Sequence, residues 1–182
     1  MKILIASDIH GSSYYCGELV SAIERENPDR IILLGDILYH GPRNDLPKEY
    51  DPKKVIDMLN GYSEKILSVR GNCDSEVDQM VLDFPCLSDY SMLLEGNKTI
   101  FITHGHIFNS DNMPKIKAGD VLLHGHTHVT ACEKLSNGAY YINPGSVSIP
   151  KNDTQRGYLL LENGMFTFKN LAGDTINTFS LN

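Results

Sequence analysis

The stretch that decides the fold is Lys2-Ile3-Leu4-Ile5-Ala6-Ser7-Asp8-Ile9-His10, a short apolar run followed at once by two metal-ligand side chains. Such a run is typical of a buried β-strand. Downstream, Tyr14–Glu26 carries apolar residues at helical spacing, and Asn27-Pro28 ends that pattern. The apolar run Ile31–Leu34 then predicts a second strand. These segments together predict a βαβ unit, which indicates an α/β fold with parallel strands.

The same arrangement, an apolar run followed by metal-ligand side chains, recurs along the chain. The further runs are Ile31–Leu34, Ile66–Val69, Thr99–Ile102 and Val121–Leu123. They are followed by Gly35-Asp36, Gly71-Asn72, His104-Gly105-His106 and His124-Gly125-His126-Thr127-His128. Loops that leave the carboxyl ends of strands in an open α/β sheet converge on one crevice, so we expect these side chains to meet. Five such segments in phase with the strands predict one composite site.

The second half of the chain is richer in strands than the first. After a predicted helix at about Pro52–Asn60, three hairpins are expected to turn at Gly96-Asn97, Asn137-Gly138 and Asn163-Gly164. We therefore expect two packed sheets with helices outside, in a single domain over residues 1–182. The polar loop between Tyr39 and Pro52 leaves the strand that carries Asp36, and is expected to shape access for the substrate.

Composition excludes several classes of protein. A chain of 182 residues with 41% hydrophobic and 21% charged residues is typical of one globular domain. Its net charge of −7 and the lack of a basic run argue against nucleic acid as a partner. The early charges argue against a signal peptide, and no apolar stretch approaches the roughly 20 residues that span a bilayer. The four scattered cysteines are expected to be free thiols in the cytoplasm, away from any membrane.

The side chains of the composite site suit divalent metal ions. Imidazole, carboxylate and amide oxygen together favour manganese, iron, zinc, cobalt or nickel. Asp8 and His10 can face one ion, whereas the two oxygens of Asp36 can bridge a pair of ions. We expect His126 and His128, two apart on an extended segment, to point the same way, each towards a different ion. The two negative charges of the carboxylates neutralise only half of the four positive charges of two divalent ions. The site is therefore cationic, which suits a hydroxide and an anionic phosphoryl group.

The ordered set D-x-H, G-D, G-N, H-G-H and G-H-T-H resembles the calcineurin-like metallophosphoesterase superfamily. The fuller segments His40–Asn44, Arg70–Asp74 and Asn143–Pro150 are similar to those of small bacterial phosphodiesterases of the YfcE type. The resemblance implies a four-layer α/β/β/α sandwich of two mixed β-sheets flanked by helices. It also implies a dinuclear site with two divalent ions, Mn²⁺ being favoured, and makes a homo-oligomer plausible. One ion would take Asp8, His10, Asp36 and His128, and the other would take Asp36, Asn72, His104 and His126.

One position departs from the wider superfamily. Most members have His directly after the Gly-Asn pair, where it assists the leaving oxygen, but this chain has Cys73. A thiol of ordinary pKa, about 8.5, is a poorer proton donor than an imidazolium near neutrality. We therefore expect His106 to substitute for it and Arg43 to steady the diester. The candidate catalytic residues are His106, Arg43 and Cys73, and the candidate substrate contacts are Arg43 and His106.

Three neighbouring residues are given structural roles by the sequence. His40 and His124 lie outside the ligand positions of the pattern, so we expect them to pack rather than bind. Asp74 either orients a metal ligand or caps the helix expected to begin near Ser75, and capping is favoured.

The pattern favours a cytoplasmic phosphodiesterase that hydrolyses small phosphodiesters by a hydroxide held between two metal ions. A phosphomonoesterase, including a serine/threonine protein phosphatase, is the first alternative on the same site. Such enzymes generally need an acid for the leaving group, which Cys73 weakens. The second alternative is a non-catalytic scaffold of the same fold, as the retromer subunit of the superfamily is understood to be. A scaffold should have lost ligands, whereas every ligand position here is filled. A DNA nuclease is disfavoured by the acidic balance.

Overall fold

The computed structural model describes residues 1–181. Its helices are α1 (Ser13–Glu26), α2 (Pro52–Asn60) and α3 (Glu76–Gln79), with a 3-10 turn at Ser63–Lys65. Its first strands are β1 (Lys2–Ala6), β2 (Arg30–Leu33), β3 (Ile66–Ser68), β4 (Tyr90–Glu95), β5 (Lys98–Thr103) and β6 (Val121–Leu123). The later strands are β7 (Thr130–Lys134), β8 (Tyr140–Pro144), β9 (Gly157–Glu162), β10 (Met165–Asn170) and β11 (Thr175–Ser180). No helix within this range is long and apolar enough to cross a membrane.

The strands form two mixed sheets, as predicted. The larger sheet has the order β11-β10-β9-β1-β2-β3, and the smaller has the order β4-β5-β6-β8-β7. Strands β1, β2 and β3 are parallel, so β1, α1 and β2 form the predicted βαβ unit. The three predicted hairpins are the antiparallel pairs β4–β5, β7–β8 and β9–β10. Strand β11, which the sequence did not predict, extends the larger sheet beyond β10.

Two hydrophobic cores hold these layers together. Side chains alternate along β1, so that Ile3 and Ile5 enter the core between the sheets while Leu4 and Ala6 face the helices. The helices α1 and α2 bury their apolar stripes on that outer side, with Leu19 of α1 and Leu59 of α2 fully buried. Each fully buried Leu or Ile contributes about 1.5–3 kcal/mol relative to an exposed one. This packing fixes the edge of the sheet where the loops converge.

The two outer faces of the sandwich are covered differently. The helical residues that enter a core within residues 1–181 all join the cluster on the larger sheet. On the smaller sheet, Phe108 in the loop after β5 packs edge-to-face against Phe101 and Tyr90. Turn residues explain why this loop is not helical: the Asn109 carboxamide oxygen accepts hydrogen bonds from the N–H groups of residues 111 and 112. Part of the outer face of the smaller sheet is therefore covered by this loop.

The segment from 39 to 51 is attached to the loop that follows β1. The Ser12 hydroxyl donates to the Lys48 carbonyl at 2.6 Å, and the Asp51 N–H donates to the Gly11 carbonyl at 2.8 Å. Ser12 also caps α1, accepting a hydrogen bond from the Tyr15 N–H. A polar loop that is predicted to control access is thus attached beside His10.

Candidate metal centre

The loops that follow five strands meet at one edge of the two sheets. Two of these loops are joined through their backbones, because the Asp8 N–H donates to the Gly35 carbonyl at 3.2 Å and the His10 N–H donates to the Asp36 carbonyl at 2.9 Å. The third loop is equally close, since a Cβ added to Gly71 would lie 2.0 Å from Asp36 Oδ1. The predicted convergence of the segments is confirmed.

One group of donor atoms comprises Asp8, His10 and His128, whose ligand atoms all lie within 4.8 Å of one another. The Nε2 atoms of His10 and His128 are 3.1 Å apart. Asp8 Oδ1 lies 3.4 Å from the first of these nitrogens and 3.2 Å from the second. All three residues are buried.

A second group comprises Asp36, His104 and His126, again with ligand atoms within 4.8 Å of one another. His104 Nε2 lies 3.2 Å from His126 Nδ1 and 3.1 Å from Asn72 Oδ1. The amide oxygen of Asn72 therefore points at the same place as the two imidazole nitrogens. The four residues that were predicted to share one ion are brought together.

Asp36 lies between the two groups. Its Oδ2 atom is 3.6 Å from His10 Nε2 in the first group and 3.4 Å from His104 Nε2 in the second. Its other oxygen, Oδ1, accepts a hydrogen bond from the Cys73 N–H at 2.7 Å. The carboxylate is thus fixed on one side and shared between both groups on the other, which is the geometry expected of a bridging ligand.

Hydrogen bonds to backbone carbonyls orient three of the imidazoles. The Nδ1 atoms pair with carbonyl oxygens, His10 with Tyr39 at 2.8 Å, His104 with Leu34 at 2.6 Å and His128 with Ile149 at 2.8 Å. A carbonyl can only accept, so each Nδ1 carries the proton and each Nε2 of the neutral ring presents a lone pair. The Nε2 atoms of His10 and His128 lie 3.1 Å apart, so a proton or a metal ion between them offsets the repulsion of two facing lone pairs. This is the arrangement by which proteins hold metal-ligating histidines.

The titration behaviour of the centre agrees with a cation site. Burial opposes the charged form of Asp8, but the imidazoles of His10 and His128 hold its pKa well below the usual range. Burial likewise opposes the imidazolium of His104, yet Asp36 and Asp8 raise its pKa to about 9. Asp8 Oδ1 is buried and has no hydrogen-bond partner among residues 1–181. An anionic oxygen without a donor, facing two imidazoles, fits a divalent ion.

Several of these ligands have an unusual backbone conformation. Asp8, His10, Asp36, His126 and His128 have φ of 57°, 51°, 55°, 66° and 61°, in the left-handed region. Each such residue costs about 1–3 kcal/mol, and such strain clusters at functional sites. The prediction that His126 and His128 lie on an extended segment was therefore wrong. They still belong to different groups, because the left-handed turns redirect their side chains.

Asp74 holds the loop of Asp36 in place rather than capping a helix. Its buried carboxylate accepts hydrogen bonds from the N–H groups of Asp36 at 2.8 Å, Gly71 at 2.7 Å and Ile37 at 2.9 Å. The capping prediction was wrong because Ser75 itself occupies the N-cap of α3. The carboxylate joins the loops after β2 and β3, and so fixes where Asp36 and Asn72 lie.

The three candidate catalytic residues occupy different places. A cleft of about 360 Å³ opens over the donor groups and is lined by Asp36, Arg43, Asn44, Asn72, His126, Thr127, His128 and Lys151. Arg43 is thus in the cleft. His106 lies beside the second group instead, its ring centroid 5.4 Å from that of His104, with a buried Nδ1 that has no partner among residues 1–181. The Cys73 thiol is half-buried near His10 and Asp36, and burial together with Asp36 raises its pKa above the usual range.

The sequence did not single out Lys151, Asn44 or Thr127 as parts of the cleft. Lys151 directly follows the Asn143–Pro150 segment, which supplied only a resemblance to a family. No sequence motif includes Lys151 itself, so the sequence provided no reason to place it in the cleft. His40 and His124 pack as predicted. The His40 ring lies edge-on between Tyr39 and Tyr50, and the His124 ring stacks on Tyr141 at 4.5 Å.

The two mixed sheets and the two groups of donor atoms at their edge are typical of a metallohydrolase. Comparison with known proteins gives the family: the calcineurin-like phosphoesterase superfamily domain matches residues 1–164. The chain belongs to this superfamily. It is 42% identical over 167 residues to phosphodiesterase YfcE of Escherichia coli strain K12, covering 92% of this chain and 90% of that protein.

Two further comparisons agree with this assignment. The solved structure of YfcE, described as a phosphoesterase from E. coli, matches with a TM-score of 0.95 and 40% identity over 100% of both chains. The probable metallophosphoesterase YsnB of Bacillus subtilis strain 168 is 28% identical to this chain, in an alignment that spans 97% of this chain and 95% of YsnB.

Proposed function

We propose that this protein is a metal-dependent phosphodiesterase that hydrolyses small phosphodiesters with two divalent ions, most favourably Mn²⁺. The observation that carries the proposal is the position of Asp36 Oδ2, which is 3.6 Å from His10 Nε2 and 3.4 Å from His104 Nε2. The relationship to a named phosphodiesterase supports the diester as the substrate class. Bound ions supply an activated water and neutralise charge on the phosphoryl group.

The residues of this chain divide the work of binding and positioning. Asp8, His10, Asp36 and His128 would hold one ion, and Asp36, Asn72, His104 and His126 would hold the other. Asp74 fixes Asp36 and the Asn72 loop through backbone N–H groups. Metal binding must displace a proton from His104, because Asp36 and Asp8 raise the pKa of His104 to about 9 in the metal-free protein.

The substrate is proposed to lie in the cleft above these ligands. Arg43 lines the cleft and would donate hydrogen bonds to the phosphoryl oxygens. His106, next to His104 and His126, would donate to the leaving oxygen from the side of the second group. Cys73 is proposed to fill the position of the usual His without acting as nucleophile or efficient acid. Good leaving groups are therefore favoured over poor ones.

Hydrolysis of bis(4-nitrophenyl) phosphate and of 4-nitrophenyl phosphate tests the proposal. The diester should be cleaved faster than the monoester, chelation should abolish both reactions, and Mn²⁺ should restore them better than Mg²⁺ because imidazole suits manganese. Faster cleavage of the monoester would favour the phosphomonoesterase. Lack of turnover with both metal positions filled would favour the scaffold.

The proposal extends to the compartment and the assembly of the protein. All four cysteines are free thiols, which supports a reducing compartment such as the cytoplasm. A homo-oligomer stays a prediction.

A further inference from the structure

Two basic side chains in the cleft have no acidic partner. Arg43 and Lys151 both line the cleft and are exposed, and neither side chain makes an ion pair or hydrogen bond within residues 1–181. Some other cations within residues 1–181 form ion pairs, such as Lys54 with Asp51 and Arg70 with Asp89, so what sets Arg43 and Lys151 apart is that they are unpaired and line a cleft. Unpaired cations that line a concave site create a field for an anionic ligand.

Lys151 is attached to the candidate metal centre through its own backbone, and Arg43 lies in a loop whose first residue is attached there. The Lys151 N–H donates to the His128 carbonyl at 2.9 Å, and the His128 ring bonds in turn to the Ile149 carbonyl. Arg43 lies in the loop that starts at Tyr39, whose carbonyl bonds to His10 Nδ1 at 2.8 Å. Both cations therefore lie on loops that contact the same donor group, which contains His10 and His128.

A charge count shows that these cations exceed what a simple diester needs. Two divalent ions bring four positive charges, and Asp8 with Asp36 brings two negative charges. A hydroxide and a singly charged diester balance the remaining two. Arg43 and Lys151 then add two positive charges, and Asp36, already counted, is the acidic side chain that lines the cleft. The cleft volume of about 360 Å³ also lies within the range for whole small-molecule ligands.

We propose that Lys151 forms a subsite for a second anionic group, beside the phosphoryl group held by the ions and Arg43, so that the preferred substrates are phosphodiesters that also carry a phosphate or carboxylate. The proposal rests on the proposed function and names its substrate class. Lys151 determines specificity through this group, whereas the ions act on the scissile phosphate. An ammonium and a guanidinium both form charge-assisted hydrogen bonds to phosphate oxygens.

A matched pair of substrates tests this subsite. Thymidine 5′-(4-nitrophenyl phosphate) is a singly charged diester, and its 3′-phosphorylated counterpart has the same leaving group with an added phosphate. In the Mn²⁺-loaded wild type, the 3′-phosphate should raise kcat/KM about tenfold, mainly through KM, as expected for one charge-assisted hydrogen bond. Lys151→Ala should lose most of that advantage, and Lys151→Arg should keep most of it.

Controls separate failure of the subsite from failure of the proposed function. Lys53→Ala also removes one positive charge, but from an exposed position of α2. This variant should keep the full increase in kcat/KM that the 3′-phosphate gives. Calorimetry should also give tighter binding of thymidine 3′,5′-bisphosphate than of thymidine 5′-monophosphate, and Lys151→Ala should remove the difference. Equal kcat/KM for the two diesters in the wild type would overturn the subsite while leaving the diesterase intact. Equal loss on both substrates in Lys151→Ala would also overturn it, because Lys151 would then contact the scissile phosphate.

Discussion

Replacing Asp74 by Asn tests how Asp36, the proposed bridging ligand, is held in place. Asp74 Oδ2 accepts hydrogen bonds from the N–H groups of Asp36 at 2.8 Å and Gly71 at 2.7 Å, and Oδ1 accepts one from Ile37 at 2.9 Å. An amide can keep one acceptor oxygen, but its NH₂ group cannot accept the other bonds. At least one buried N–H is therefore left without a partner, and two are left if the NH₂ takes the place of Oδ2.

The size of the effect follows from these bonds. Each buried N–H left without an acceptor costs roughly 1–3 kcal/mol, so the loss in the free energy of unfolding is about 1–3 kcal/mol for one such group and about 2–6 kcal/mol for two. This is a large share of the roughly 5–15 kcal/mol by which domains are stable. Activity should fall further than stability alone explains, because the loops that carry Asp36 and Asn72 are no longer joined and metal affinity drops.

The assay is urea unfolding of the metal-free protein at neutral pH, followed by circular dichroism, with manganese affinity measured in parallel. Asp78→Asn is the matched control. Its carboxylate accepts from the Ser75 N–H at 2.8 Å in the cap of α3, so it should cost only about 1 kcal/mol and leave metal binding unchanged. A loss below about 1 kcal/mol in Asp74→Asn, with unaltered manganese affinity, would refute the role given to Asp74.

Two other residues give independent predictions. Burial lowers the pKa of His124 to about 4 from 6.5, so this residue destabilises the metal-free protein on acidification: its contribution to stability is complete above about pH 6.5 and is lost towards pH 4, by up to about 3 kcal/mol. His124→Gln should flatten the dependence of unfolding free energy on pH in that window, and an unchanged slope would contradict the assignment. Cys73→Ser should largely keep cleavage of aryl diesters, whereas Cys73→His should help poor leaving groups more than good ones. Rates plotted against leaving-group pKa distinguish these variants, and loss of all activity in Cys73→Ser with both ions bound would show that the thiol is catalytic.

Most of the fold and of the candidate site could be predicted because the candidate ligand residues come directly after apolar strands. Asp8, Asp36 and His104 each follow an apolar strand, and parallel strands bring such residues to one edge whatever their separation in sequence. The hairpins were equally readable from turns such as Asn163-Gly164. The strands and hairpins that short sequence segments predict are therefore present in the structure.

The remaining features depend on tertiary context that a linear pattern does not contain. Strand β11 is mostly exposed and lacks an alternation of apolar and polar residues, so it carries no periodic signal. Asp74 lies beside a helix start, and only the folded loops show that its carboxylate joins residues 36 and 71. The left-handed backbone of His126 and His128 likewise overrides the expectation of an extended segment.

The metal content and diesterase rate of Asp36→Asn test the central claim most directly. The wild type should bind two Mn²⁺ ions per chain, because Asp36 Oδ2 faces both donor groups. The amide variant should bind fewer than two and lose about a thousandfold or more in rate on bis(4-nitrophenyl) phosphate. Asp57→Asn, the same change at an exposed position of α2, should leave both quantities unaltered. Full occupancy by two ions and an undiminished rate in Asp36→Asn, with the fold intact by circular dichroism, would contradict the bridged centre.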